Sequence, residues 1–204
     1  MKTKNIYIIR HGQTDYNKNK MVQGRGVDAS LNDEGRRQAD LFYQSYNSIS
    51  FDKIYTSALK RTVESVRGFV DDGIPYEQLP GLDEISWGSQ EGLPYDPIRH
   101  EEYLTGLKEW TKGNLEYRVA GGETPIEVAE RQKKAIKYIM TKRTEKTVLI
   151  STHGRAMRFL VCWMLGKPLN SANEFEHSNL CLYHLKYDGE LAQIVINNNT
   201  DHLD

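Results

Sequence analysis

The sequence predicts an α/β sandwich with helices on both faces of a sheet. Short apolar runs of strand length alternate along the chain with longer segments whose apolar residues recur at helical spacing. Two strands also end alike: Ile6-Tyr7-Ile8-Ile9 leads into Arg10-His11-Gly12, and Val148-Leu149-Ile150-Ser151-Thr152 into His153-Gly154-Arg155. Open α/β sheets place ligands outside the carboxyl edge of their strands. One Arg-His-Gly alone reads as a polar loop. Two strand ends of this kind, each with an adjacent arginine, point to two imidazoles meeting at one site.

The chain of 204 residues suits one α/β domain over 1–204, with an inserted helical segment at about 94–122. A net charge of −1 gives no basic field for nucleic acid, so an anion site has to be built locally. The apolar run after Met1-Lys2-Thr3-Lys4 is too short for a secretion signal, and no stretch reaches membrane-spanning length. Cys162 and Cys181 fall in a helix and a strand, lack metal-ligand spacing, and read as small core hydrophobes. Together these features lead us to expect a reduced cytoplasmic protein. The oligomeric state is not legible.

The stretch Gln13-Thr14-Asp15-Tyr16-Asn17 has no apolar periodicity and reads as a loop, in which Asn17 is either a turn residue or an amide donor to an anion. Gln23-Gly24-Arg25-Gly26 is either a flexible turn or a close backbone approach to a ligand. Asn32 caps a helix with Asp33 and Glu34 in its first turn and Ala39, Phe42, Tyr43 and Tyr46 on its inner face. Residues 51–55 form the next strand, and Leu59, Val63, Val66 and Val70 mark one helix after it. Arg61, in the first turn of that helix, is placed either to fork onto a phosphate or to pair with Glu64 on the surface.

Tyr76–Leu79 reads as a short edge strand. Glu84, between Leu82, Ile85 and Trp87, is expected in a partly apolar wall that favours its acid form; Asp83 is the neighbouring alternative. In the 94–122 segment, Tyr95, Tyr103, Trp110 and Tyr117 suit either packing or stacking on a substrate. Thr124, Pro125 and Glu127 form a capping box opening a helix with Val128, Gln132, Ala135, Ile136 and Ile139 inward. Thr147–Thr152 is a strand, and an apolar helix from Met157 to Leu165 is closed by Gly166 and Pro168. Cys181–Leu185 and Ala192–Ile196 flank an Asp188-Gly189 turn, and a polar tail from Asn197 ends the chain.

Taken together, Arg10-His11-Gly12-Gln13-Thr14, Asn17, Gln23-Gly24, Ser30-Leu31, Thr56-Ser57 before Arg61, Glu84 with Gly88 and Glu91-Gly92, and Thr152-His153-Gly154 resemble the histidine phosphatase superfamily, which includes the cofactor-dependent phosphoglycerate mutases. The resemblance covers almost the whole chain. It implies a three-layer α/β/α sandwich with a mostly parallel central sheet, phosphoglycerate mutase-like. It also implies that His11 is the nucleophile, forming a phosphohistidine while its other ring nitrogen donates to a backbone carbonyl. Arg10, Arg61 and His153 would hold the phosphoryl oxygens, with Asn17, Gln23, Gly24 and Gly154 completing the substrate site. Glu84 would be the general acid and base. No metal and no cofactor are implied, because two arginines and a second imidazole supply the positive charge.

Mutases and phosphatases of this kind share the first half-reaction and differ in the phosphoryl acceptor. Phosphoglycerate mutases typically carry Glu-Arg-His-Tyr-Gly around the acid and paired arginines in a longer insertion. Here Ile85 follows Glu84, and residues 94–122 contain no Arg-Arg pair. The favoured expectation is a phosphomonoesterase of the histidine acid phosphatase type acting on a small phosphorylated metabolite. A mutase-type phosphotransferase is the runner-up, and a binding protein that kept the pocket without turnover is a third alternative.

Overall fold

The computed structural model describes residues 3–204. Its sheet is built from β1 (Lys4–Arg10), β2 (Lys53–Thr56), β3 (Tyr76–Gln78), β4 (Thr147–Thr152), β5 (Leu182–Tyr187) and β6 (Ala192–Asn199), in the spatial order β3-β2-β4-β1-β5-β6. The first four strands in that order run parallel, and β5 and β6 form an antiparallel hairpin against β1.

Alternation along each strand divides the core in two, because successive side chains of a strand face opposite ways. Ile6, Ile8, Val148 and Ile150 face α5 (Pro97–Thr111), α6 (Pro125–Thr141) and α7 (Gly154–Met164). Ile9, Ile54, Leu149 and Leu182 face α2 (Asp33–Tyr46) and α4 (Arg67–Asp71). The result is the three-layer α/β/α arrangement with a mostly parallel sheet. The capping box of Thr124 and Glu127 opens α6 with Pro125 at its first position. The free thiols of Cys162 and Cys181 are both buried.

Local structure departs from the sequence reading at four places. Residues 13–18 are not all loop: α1 (Asp15–Lys18) is one turn, closed by a capping box between Thr14 and Asn17. The helix expected over 59–70 is two, α3 (Lys60–Glu64) and α4, because Ser65 Oγ bonds back to Arg61 O at 2.6 Å and accepts from Gly12 N at 2.9 Å. Helix α7 begins at Gly154, not Met157, so His153 is its N-cap residue. The tail is not merely polar: β6 continues to Asn199, and a 3-10 turn at Asp201–Leu203 packs buried His202 edge-on against Phe42 and Tyr46.

The 94–122 segment holds α5, capped by Asp96 with Pro97 following. Its aromatic residues mainly pack. Trp110 lies 5.4 Å from Trp87 between ring centroids and donates its indole N–H to Tyr117 O at 2.7 Å, and Tyr103 lies 4.7 Å from Trp87. Tyr95 alone of the four is exposed.

Candidate active site

The two His-Gly strand ends lie side by side because β1 and β4 are neighbours in parallel register, Arg10 opposite Thr152. His11 N donates to Thr152 O at 3.0 Å, which sets the next residue of each strand, His11 and His153, at the same edge. Their ring centroids are 5.2 Å apart at 61°.

His11 is buried, with Nδ1 2.7 Å from Gly12 O. A carbonyl cannot donate, so Nδ1 carries the hydrogen and Nε2 presents a lone pair. Burial first, then the Arg61 and Arg10 charges, hold its pKa well below the usual histidine range. Gly12 is needed here because a Cβ would meet Gly35 O at 2.6 Å, where α2 presses on the strand end.

His153 is fully buried. Its Nδ1 lies 3.1 Å from Arg61 Nε and its Nε2 2.8 Å from Ser57 Oγ. Guanidinium only donates, so Nδ1 accepts and the ring hydrogen goes from Nε2 to Ser57. Burial, then Arg61 and His11, hold His153 neutral as well. Both its nitrogens are engaged, so contact with an incoming anion requires one of these partners to be exchanged.

Arg61 is fully buried and makes no pair with Glu64, whose carboxylate instead accepts from Leu31 N. It donates to Val27 O at 2.6 Å and Gly24 O at 3.2 Å, all neutral acceptors, and burial lowers its pKa to about 10. Arg10 donates to His177 O at 2.6 Å, while its Nε is buried with no partner. Neither arginine is hydrogen-bonded to a carboxylate, so two buried cations keep their charge directed at the pocket, as an anion site requires.

Glu84 sits beside this charge, but its carboxylate is not held in an apolar wall. Oε1 accepts from Ile85 N at 2.9 Å and Ala156 N at 2.8 Å, and Oε2 from Arg155 N at 3.1 Å. Two of these are open N–H groups in the first turn of α7, which His153 does not cap. Arg131 of α6 braces the loop carrying Glu84, donating to the carbonyls of Gly81, Asp83 and Glu84. Asp83 turns elsewhere: Ala58 N and Arg25 hold its two oxygens, and burial raises its pKa.

Asn17 Oδ1 accepts from Thr14 N and from Asn179 Nδ2, leaving its own Nδ2 as the free end. Gln23 Oε1 takes the Thr14 hydroxyl hydrogen at 2.8 Å, and Gln23 Nε2 is buried and unpaired. Gly24 lends its carbonyl to Arg61, and a Cβ there would fall 2.0 Å from Glu91 Oε1. Gly154 lets His177 lie against the start of α7.

Asn179 and His177 carry no sequence signal, and Ser57 is legible only as part of the Thr56-Ser57 motif, without its contact to His153. Asn179 donates to His11 O at 2.9 Å, and Leu180 beside it adopts φ +55° with its N–H on Arg10 O. A polar residue beside a left-handed leucine leaves no mark in a sequence. A cavity of about 1220 Å³ lies at the opposite end of the sheet, lined by Lys4, Lys137, Arg143 and Trp163 among others, away from these groups.

The model of the histidine phosphatase superfamily (branch 1) matches residues 6–200. The chain is 30% identical over 198 residues to 6-phosphofructo-2-kinase/fructose-2,6-bisphosphatase of Gallus gallus, covering 94% of this chain but only 40% of that protein's length. It is 28% identical over 187 residues to the probable phosphoglycerate mutase GpmB of Yersinia enterocolitica, covering 89% of this chain and 84% of that one. Among solved structures, Bacillus stearothermophilus YhfR superposes with a TM-score of 0.86 at 26% identity, over 98% of this chain and 100% of its own.

Proposed function

This chain belongs to the histidine phosphatase superfamily, and we propose that it is a phosphomonoester hydrolase working through a phosphohistidine on His11. The observation that carries the proposal is the His11 tautomer: Nδ1–H is tied to Gly12 O at 2.7 Å, leaving Nε2 as an unprotonated nucleophile among buried arginines.

In the first step the Nε2 lone pair forms a bond to phosphorus as the ester P–O bond breaks. The leaving alkoxide takes a proton from Glu84. Arg10, Arg61 and the free amide end of Asn17 stabilise the charge on the equatorial oxygens, with His153 joining after partner exchange. In the second step water gives its proton to Glu84 and attacks phosphorus, the P–N bond breaks, and His11 is regenerated with inorganic phosphate. Gln23, Gly24 and Gly154 shape the pocket. The substrate class is a small phosphorylated metabolite.

A mutase-type phosphotransferase is the second reading, supported by the likeness to the Yersinia protein. Rapid quenching separates the two. Label on His11 that decays in water with phosphate release supports the hydrolase. Label that persists until a second phosphorylated metabolite is added supports the mutase.

A further inference from the structure

We infer that the cavity at the opposite end of the sheet from the two histidines binds an aromatic polyphosphate, the chemistry of a nucleoside triphosphate. This site is separate from the phosphoryl pocket and stands whether or not the protein is a hydrolase.

Its floor holds a lysine where the strand pattern calls for an apolar residue. Lys4 opens β1, whose other end carries Arg10 into the histidine site. Side chains alternate along a strand, so Lys4 faces the same way as Ile6 and Ile8, toward α6 and α7. It is only 4% exposed, and its Nζ donates to the carbonyls of Lys142 and Glu145. An ammonium has three hydrogens, and the third finds no acceptor among the described residues. Burial lowers the Lys4 pKa against the weaker opposing pull of Glu145 and Asp52. A buried cation held only by neutral carbonyls needs a counter-charge, and Lys4 lines this cavity.

The rim is basic. Lys133 and Lys137 lie one helical turn apart on α6, and Arg143 and Lys146 lie between α6 and β4. All four are exposed, and neither they nor Lys4 pair with a carboxylate among the described residues. The acids of the cavity are Glu145 and Glu190, and Glu145 Oε2 is taken by the Tyr55 hydroxyl at 2.6 Å. Five cations therefore face two carboxylates, in a chain whose net charge is −1.

The wall between floor and rim is apolar, made by Ile136 and Met140 of α6 and the half-buried Trp163 of α7. The Trp163 indole N–H is spent on Gln132 Oε1 at 3.1 Å, so the wall offers contact area and no indole donor. Ligand pockets usually measure roughly 300–1,000 Å³, and a single inorganic anion would leave most of this one, about 1220 Å³, unfilled. A ligand with several negative charges and a flat apolar body uses the whole site, its phosphates on the lysines and Arg143 and its base against Trp163.

The test is calorimetric binding of AMP-PNP, an ATP analogue whose terminal P–N link resists hydrolysis, at about 0.15 M salt, where diffuse surface attraction is screened. Wild type and His11→Ala should bind it equally. The double variant Lys133→Glu/Lys137→Glu, whose altered side chains are both exposed and leave the core intact, should bind at least about tenfold more weakly, the loss of one charge-assisted hydrogen bond. Tripolyphosphate, which lacks the base, should bind about tenfold more weakly than AMP-PNP to the wild type. No binding to the wild type, binding that disappears in His11→Ala, or undiminished affinity in the double variant would overturn the site. Equal affinity for tripolyphosphate and AMP-PNP would overturn the aromatic ligand class.

Discussion

Replacing Glu84 by glutamine separates its bonding to α7 from its proton transfer. The carboxylate takes three backbone N–H groups, two on Oε1 and one on Oε2. Glutamine can keep its oxygen at the first position, but its NH2 then faces the Arg155 N–H, donor against donor. Leaving one buried donor unpaired costs about 1–3 kcal/mol. For a chain of this size that lowers Tm by roughly 2–12 °C. The chemical effect depends on the leaving group. An alkyl phosphate, whose alkoxide needs a proton, should lose about 10²–10⁴ in kcat. A p-nitrophenyl ester, whose phenolate leaves unprotonated, should lose far less in that step. Steady-state kinetics on both esters and a thermal melt read both effects. Equal losses for the two esters would refute the acid role and direct attention to the neighbouring Asp83, whose carboxyl is pushed up by burial.

Arg61→Ala removes a charge from the pocket and orphans the carbonyls of Gly24 and Val27; kcat should fall about 10²–10³-fold, and a wild-type rate would place Arg61 outside the reaction. Stability should fall on acidification: His11, His153 and His177 have folded pKa values below the usual 6.5, so below that pH the unfolded chain binds protons that the native state does not. Each histidine then contributes up to about 1.4 kcal/mol of lost stability per pH unit, which urea melts at pH 7 and pH 5 would detect, and equal midpoints would contradict burial of the neutral rings.

The sheet and the meeting of the two histidines were legible because both rest on local patterns: apolar runs of strand length, each followed by His-Gly. The α6 cap was legible for the same reason, since Thr124, Pro125 and Glu127 are close in sequence. The break between α3 and α4, where Val66 leaves helical geometry, was not, because the Ser65 hydroxyl beside it accepts from Gly12 N, more than fifty residues away. Glu84 was located from its neighbours, but the donors holding it come from α7. The roles of Ser57, Asn179 and His177 depend wholly on chain crossings.

The most direct test of the central claim is rapid-quench trapping with a labelled phosphomonoester, followed by mapping of the acid-labile label, in the wild type and in His11→Ala. Label on His11 that turns over to inorganic phosphate, with neither label nor turnover in His11→Ala, is the predicted result. Turnover that survives in His11→Ala, or label on another residue, would contradict it.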